Sequence, residues 1–146
     1  MAATGPWVLY NQFKLKLGQK AIDLVNDHFK VALFTSASVA INAAVTPATY
    51  ASFAADAHEV SNANGYTTGG AAVTPTWSGG STVTLATTQP SWTASGAGIT
   101  ARAAVLYDSD TGDAVAYMLL DSTPADVSAA SGNSLTIQIS TLFALA

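Results

Sequence analysis

At 146 residues the chain is long enough to form one domain with a hydrophobic core. Charged residues make up only 10% of it, well below the roughly 25% typical of soluble domains, whereas 49% of the residues are hydrophobic. The net charge of −4 argues against nucleic-acid binding, which needs clustered cations to displace counterions from phosphates. Small neutral residues must cover such a surface, which is typical of proteins that stay in contact with other proteins; a soluble monomer with a neutral surface is the alternative.

The first thirty residues differ from the rest of the chain because they hold every lysine. Apolar residues recur there at three- and four-residue spacing, which predicts a helix over residues 7–27 that Gly18 weakens. We expect a single domain over residues 1–146. Its N-terminal arm or helix would span residues 1–28 and could reach a neighbour, and its body would span residues 29–146.

The body alternates between short β-prone runs and turn-forming residues. A first strand is predicted at residues 29–34 (FKVALF), a short helix near residues 49–55, and an exposed loop at residues 59–70. Further strands are predicted at residues 71–77, 82–86, 91–93, 99–107, 114–121 and 134–145. The expected fold class is therefore mainly β: an antiparallel β-sandwich with an N-terminal helix.

Two short motifs are candidates for a metal or catalytic site. His58 and Glu59 are neighbours, but adjacent residues on a strand point to opposite faces, and no HxH or HExxH spacing occurs. Residues 108–113 (DSDTGD) resemble the start of a calcium loop, but Gly112 falls at position five and Leu119 at position twelve. We expect a hairpin turn there, with a calcium site as the alternative.

No catalytic set is visible in the sequence. A GxSxG motif, a P-loop and a GxGxxG motif do not occur, cysteine is absent, and Glu59 is the single glutamate. We therefore expect a protein that is not an enzyme, with no cofactor and no metal.

The large aromatic residues and the single arginine are candidates for contacts. Tryptophan more often anchors a core or an interface than a sugar site, although a sugar platform is the alternative. Arg102 interrupts a small apolar strand, so we expect it to face solvent or to pair with an aspartate within or between chains. The candidate interface residues are Trp7, Tyr10, Phe13, Trp92 and Arg102.

Six short segments form an ordered set of motifs along the chain. They are residues 9–14 (LYNQFK), 29–35 (FKVALFT), 59–70 (EVSNANGYTTGG), 92–95 (WTAS), 99–108 (ITARAAVLYD) and 135–145. The set resembles a group of small structural proteins of tailed bacteriophages, which typically open with LYNxFK and IKVALxTS. The chain departs from that pattern in residues 2–6, in an Ala-rich insertion around residues 40–57, and at Ala103, where an aromatic residue is common.

The resemblance implies a virion structural protein, and it favours a capsid decoration (cement) protein on the capsid exterior. Such a protein would bind the major capsid protein, associate with itself, often as a trimer, and stabilise the shell. The alternative is a tail or fibre component that binds a host surface or a carbohydrate through Trp77, Trp92 or Tyr66. The sequence shows neither a secretory leader nor a membrane-spanning run, so we expect assembly in the host cytoplasm and no membrane partner.

Overall fold

The computed structural model describes residues 5–121, 123 and 125–146. In chain order the described elements are β1 (Trp7–Leu9), α1 (Asn11–Gly18), β2 (Phe29–Phe34), α2 (Tyr50–Ala55), β3 (Ala71–Val73), β4 (Pro75–Gly79), β5 (Val83–Thr87), β6 (Ser91–Thr93), β7 (Ile99–Ala101), β8 (Ala103–Asp108), β9 (Ala114–Leu119), β10 (Val127–Ala129), β11 (Ser134–Thr136) and β12 (Phe143–Leu145). Every pair of neighbouring strands is antiparallel. The chain is therefore mainly β with a sandwich-like arrangement and a helix near its N-terminus, as predicted.

A five-stranded sheet in the order β1-β9-β8-β2-β3 forms the centre of the molecule. Strand β2 pairs with β8 over six residues, from Phe29 opposite Asp108 to Phe34 opposite Ala103. All six residues of β8 are buried, so both faces of the sheet are covered at this point. The nearly unbroken apolar runs of β2 and β8 fit this position, because a strand buried on both faces has no polar side to alternate with.

Three smaller ladders, β4-β5-β12, β6-β11 and β7-β10, make up the rest of the sheet structure. Only Thr74 separates β3 from β4, and only Arg102 separates β7 from β8. The predicted strands 71–77 and 99–107 are thus each split. The first passes from the central sheet into the β4-β5-β12 ladder, and the second passes from the β7-β10 ladder into the central sheet. The buried apolar residues of both regions belong to one cluster.

The predicted helix over residues 7–27 is wrong at both ends. Residues 7–9 instead form β1, which pairs with β9 at the edge of the central sheet, and α1 ends at Gly18. Beyond it, Lys20 has a φ of 57°, and Oδ1 of Asp23 accepts hydrogen bonds from the N–H groups of Val25 at 2.9 Å and Asn26 at 3.1 Å. An aspartate that bonds the backbone in this way competes with helix formation. The chain from Gly5 onward is part of the body rather than an arm.

The short helix predicted near residues 49–55 is confirmed as α2. Oγ1 of Thr49 accepts a hydrogen bond from the N–H of Ser52 at 3.2 Å, which caps the helix. Its buried Phe53 lies against Tyr10 and Phe34, with ring centroids 5.6 and 6.0 Å away. The helix therefore covers part of one face of the central sheet.

The predicted strand 134–145 is also split, into β11 and β12. Ile137 and Ile139 between them are buried, as the alternation predicted, but they lie outside any ladder. This stretch carries the chain from the side of β6 to the side of β5, so its side chains alternate while its backbone changes partner. The alternation therefore identified the buried residues up to Ile139, but beyond it Leu142 is buried and Leu145 is 51% exposed, the reverse of the prediction. Strand β10 was not predicted.

Candidate interaction surface

The smaller ladders carry no charged side chain, although Arg102 and Asp126 directly flank the β7-β10 ladder. Residues 60–101 and 127–146 contain no Asp, Glu, Lys, Arg or His, and these two stretches supply β3 to β7 and β10 to β12. We call the ladders β4-β5-β12, β6-β11 and β7-β10 the neutral layer. Every charged side chain of the protein therefore lies outside it, on the central sheet, the helices and their connections.

Exposed hydroxyl groups in the neutral layer are paired across the strands. Thr100 on β7 and Ser128 on β10 are directly opposite, with their side-chain oxygens 2.8 Å apart. The β6-β11 ladder repeats the arrangement twice. Its side-chain oxygens are 2.8 Å apart between Ser91 and Thr136, and 3.4 Å apart between Thr93 and Ser134. All six side chains are exposed.

A surface made of these hydroxyl pairs should lose little side-chain entropy and little hydration free energy when it binds a partner. Ser and Thr are short and are partly held by their neighbours, so fewer rotamers are frozen on contact than for lysine or glutamate. A neutral hydroxyl also costs less to desolvate than a charge. The outer face of the β4-β5-β12 ladder continues this character with exposed Thr76, Ser78 and Ala144.

A groove of about 480 Å³ opens where the neutral layer meets the connection between α1 and β2. Its apolar wall includes Leu17, Leu24, Val25 and Trp77, and Lys20 and Asp23 also line it. The Trp77 ring is half-buried and contacts Phe143 with a centroid distance of 5.8 Å. Trp77 thus remains available at a concave site.

Three of the five predicted interface residues are buried within the chain. Tyr10, Phe13 and Trp92 have almost no exposed surface, so their rings cannot meet a partner in this conformation. The Tyr10 hydroxyl donates to the carbonyl of Ala40 at 2.6 Å, and burial raises its pKa well above the usual range. Sequence reasoning selected these residues for their size, but size identifies core anchors as readily as interface anchors.

The other two predicted residues are partly accessible. Trp7 is half-buried on the edge strand β1, and its Nε1–H has no hydrogen-bond partner among the described residues. Arg102 pairs within the chain, with Nε 3.3 Å from Oδ1 of Asp126. The predicted arginine–aspartate pair is therefore present, as an intrachain contact.

Two of the three aromatic residues considered for sugar stacking are not accessible. Tyr66 and Trp92 are buried against each other, with centroids 5.8 Å apart. Trp77 alone keeps an open face, and it lies in the groove rather than on a flat platform.

Glu59, which nothing in its sequence context singled out, is at the centre of a hydrogen-bonded network. Its Oε1 accepts from the Tyr66 hydroxyl and from the N–H of Gly69, and its Oε2 accepts from the Tyr50 hydroxyl, each at 2.7 Å. The Tyr107 hydroxyl donates to the carbonyl of Gly69 at 2.7 Å, and its ring stacks on Tyr50 at 4.4 Å.

The surroundings of this network shift the tyrosine pKa values upward. Burial, and then the charge of Glu59, raises the pKa of Tyr107 to about 12. For Tyr50 and Tyr66 burial is again the largest cause, and it raises their pKa values beyond the usual range. All three tyrosines thus stay protonated as donors, and the network ties the loop at residues 59–70 to α2 and β8. No pattern in the residues next to Glu59 predicts that tyrosine hydroxyl groups donate hydrogen bonds to it.

The motif at residues 108–113 forms the predicted turn between β8 and β9. Oδ1 of the buried Asp108 accepts from the N–H of Asp110 at 2.8 Å, and its Oδ2 accepts from the Thr111 hydroxyl at 2.9 Å. Burial raises the pKa of Asp108, although these donors oppose the effect. Asp113 instead forms an ion pair with Lys16. These carboxylates serve the turn and α1.

The two histidines lie beside aspartates at the surface. Nδ1 of His28 is 3.0 Å from Oδ2 of Asp110, and Nδ1 of His58 is 3.0 Å from Oδ2 of Asp56. His58 thus pairs with Asp56 and not with the neighbouring Glu59. In the part of the chain that the structure describes, no three His, Cys, Asp or Glu side chains converge as metal ligands would.

Comparisons with family models, with curated proteins and with solved structures found no match. Neither described helix has the length and apolar content needed to cross a membrane. The described residues thus form a β body with a charge-bearing region, a neutral layer and an apolar groove.

Proposed function

We propose that the protein is a structural component of a tailed-bacteriophage particle, and that it acts as a decoration (cement) protein on the outside of the capsid. The neutral layer is the observation that carries this proposal. A protein that binds by shape to a pre-formed shell benefits from a surface without charges, because no ion needs to be desolvated on docking. The charged region would then face the solvent.

The ordered phage-like motifs support the same function. Glu59, Tyr66 and Gly69 from one motif and Tyr107 from another meet in a single network. These contacts hold the loop at residues 59–70 against α2 and β8. The motifs thus agree with a structural role rather than a catalytic one. Many copies on a symmetric shell would then add weak contacts into high avidity.

The test is binding to particles of the encoding phage from which this protein has been removed. Thr93→Lys and Thr100→Lys each place a charge in the neutral layer, and Ala51→Lys places one on the exposed side of α2 as a control. A lysine buried without a partner is costly, so we expect each neutral-layer variant to bind at least about 10-fold more weakly. The Ala51→Lys variant should bind as the unmodified protein does. Equal binding by all three variants would contradict the proposal.

A further inference from the structure

The chain between α1 and β2, residues 19–28, is attached to the turn between β8 and β9, and we call it the α1–β2 connection. The backbone N–H of His28 donates to Oδ2 of Asp110 at 2.8 Å. The carbonyl oxygen of His28 accepts from the N–H of Ser109 at 2.8 Å and from the Ser109 hydroxyl at 2.9 Å. The end of the connection is therefore fixed to the turn by its backbone.

Two carboxyl groups are in contact beside this attachment. One carboxyl oxygen of Asp27 and one of Asp108, the last residue of β8, form a hydrogen bond. Asp108 is fully buried and Asp27 is half-buried. The Oδ2 atom of Asp27 also accepts the N–H of Asp23 at 2.7 Å. Two ionised carboxylates repel each other strongly at this distance, so a hydrogen bond between them requires one shared proton.

Positive charge does not replace that proton. Lys16 on α1 forms its ion pair with Asp113, and His28 lies beside Asp110. Among the residues that the structure describes, no cationic side chain forms an ion pair with Asp108. The contact between the two carboxyl groups is thus maintained by a proton and not by a neighbouring cation.

The other groups around Asp108 have opposing effects on its ionisation. The N–H groups of Asp110 and Thr111 and the Thr111 hydroxyl donate to it and favour the carboxylate. Strand β2 presents only the apolar Phe29 opposite Asp108. Burial, which is the largest cause, and the Asp27 carboxyl group raise the pKa of Asp108 above the usual 3.8. The proton is therefore lost at a pH above that at which exposed aspartates titrate.

We infer that this shared proton controls the opening of the α1–β2 connection, which becomes easier as the pH rises. The closed state, with the two carboxyl groups in contact, binds the proton more tightly than an open state in which Asp27 has moved away. The stabilisation of the closed state is therefore complete at low pH and is lost as the pH rises through the closed-state pKa of Asp108. Asp27 is the group that moves, because β8 is buried on both faces whereas the connection has no regular secondary structure.

The groove beside Trp77 changes together with the connection. Leu24 and Val25 line this groove, and the N–H of Val25 donates to Oδ1 of Asp23 at 2.9 Å. Because Asp27 in turn holds the N–H of Asp23, a displacement of Asp27 moves this apolar wall. The side chain of Leu24 is buried, so the closed state remains the more populated one and the proton changes the fraction of open molecules.

Two neighbouring aspartates are already ionised when this proton is lost. The Asn26 side chain and nearby N–H groups lower the pKa of Asp23, and the N–H of His28 and then its side chain lower the pKa of Asp110. Their charges thus stay constant while the shared proton leaves. The device does not depend on the proposed function.

The experiment is hydrogen–deuterium exchange of the full chain, followed by mass spectrometry and corrected for the intrinsic effect of pH on exchange. EDTA in every buffer prevents a divalent cation from replacing the proton. Between about pH 4 and pH 8, we expect the protection of residues 19–28 to fall at least about 10-fold. Strand β8 should stay better protected throughout, because the opening is local.

Three variants separate the shared proton from other effects of pH. Asp27→Asn removes one carboxyl group and keeps an amide that can donate to Asp108, so its protection should change by less than about 2-fold over the same range. Asp108→Asn should behave in the same way. His28→Gln is the matched control: it removes the other titratable side chain at the attachment, keeps the backbone bonds of residue 28, and should retain the fall. Circular dichroism checks that each variant is folded.

Four results would overturn the inference. They are constant protection of residues 19–28 in the unmodified protein, a fall in Asp27→Asn or Asp108→Asn equal to that of the unmodified protein, absence of the fall in His28→Gln, and exchange of residues 19–28 only together with β8. Because no step uses phage particles, these results leave the proposed function to its own test.

Discussion

The Tyr66 hydroxyl and the Glu59 carboxylate form a 2.7 Å hydrogen bond at the point where the loop at residues 59–70 meets the central sheet. The same hydroxyl accepts a hydrogen bond from the N–H of Leu33 at 3.0 Å. Tyr66 thus connects the single glutamate of the chain to the backbone of β2. Removing this hydroxyl leaves the N–H of Leu33 without an acceptor, whereas Oε1 of Glu59 keeps its hydrogen bond from the N–H of Gly69.

Tyr66→Phe should therefore destabilise the protein more than Tyr50→Phe does. We expect a loss of about 1–3 kcal/mol in the free energy of unfolding for Tyr66→Phe, because it leaves a buried N–H without an acceptor. Tyr50 is less buried and donates only to Glu59, so its loss should be smaller. Urea unfolding measures both. Tyr117→Phe, which removes a hydroxyl with no hydrogen-bond partner among the described residues, is the control. Equal losses for all three would show that the network does not stabilise the fold.

Gly70 and Gly112 both have positive φ angles, of 77° and 84°, but only one is enclosed. A Cβ on Gly70 would overlap the carbonyl oxygen of Val31, whereas a Cβ on Gly112 would meet nothing within 4 Å. Gly112→Ala should cost about 1–2 kcal/mol of stability from the backbone conformation alone. Gly70→Ala should cost more than about 4 kcal/mol and reduce the yield of folded protein. Equal free energies of unfolding for the two variants would show that the close contact at Gly70 does not add to the cost.

The raised pKa of Asp108 has a defined effect on stability. The folded state binds this proton more tightly than the unfolded chain, whose aspartates titrate near 3.8. The stabilising contribution is therefore complete below that pH and is lost as the pH rises through the higher folded value. Asp108→Asn cannot titrate at this position and therefore does not lose this contribution. As the pH rises from about 3.8 through the folded pKa of Asp108, the free energy of unfolding of the variant should thus increase relative to that of the unmodified protein. A difference that stays constant with pH would refute it.

The pKa of Asp56 is lowered in the folded state, so its effect on the pH dependence of stability is opposite to that of Asp108. The N–H of Val39, which bonds its Oδ2 at 2.9 Å, and then the nearby His58 lower the pKa of Asp56. Its contribution is present above the unfolded value and is lost as the pH falls through the lower folded value. In Asp56→Asn the stability should thus fall less steeply in acid than it does in the unmodified protein. Melting temperatures measured across the acid range compare the two slopes.

The Arg102–Asp126 pair should contribute little to stability. The Arg102 side chain is only 17% exposed, but that of Asp126 is 44% exposed, so solvent screens the interaction. A double-mutant cycle with Arg102→Ala and Asp126→Asn should give a coupling of about 0.2–1 kcal/mol that declines with added salt. A salt-independent coupling of several kcal/mol would instead indicate a desolvated pair.

Local patterns predicted most of the elements, but they missed β10 and did not show where several longer runs are broken. Residues 29–34 and 91–93 were predicted as strands with the bounds that the structure has. Three longer runs were broken where the backbone changed partner, for example at Thr74 and Arg102, whereas the run at residues 114–121 was kept as β9. Periodicity reports which side chains face the core, and it does not report which strand the backbone pairs with.

Residue size and apolar spacing did not distinguish core residues from residues that could contact a partner. Tyr10 and Phe13 were chosen as interface residues but are core residues, because an apolar stripe is the same whether a core or a partner covers it. The neutral layer was visible in the sequence as two long stretches without charge. Only the fold, however, shows that these stretches lie together in the same ladders. The Glu59 network joins residues as far apart as Tyr50 and Tyr107, so no local pattern could reveal it.

Electron cryo-microscopy of the phage particle that contains this protein tests the central claim most directly. We expect many copies on the outside of the head, with the neutral layer against the shell and the charged region in solvent. Density for the protein in the tail alone, or copies that press the charged region against the shell, would contradict it.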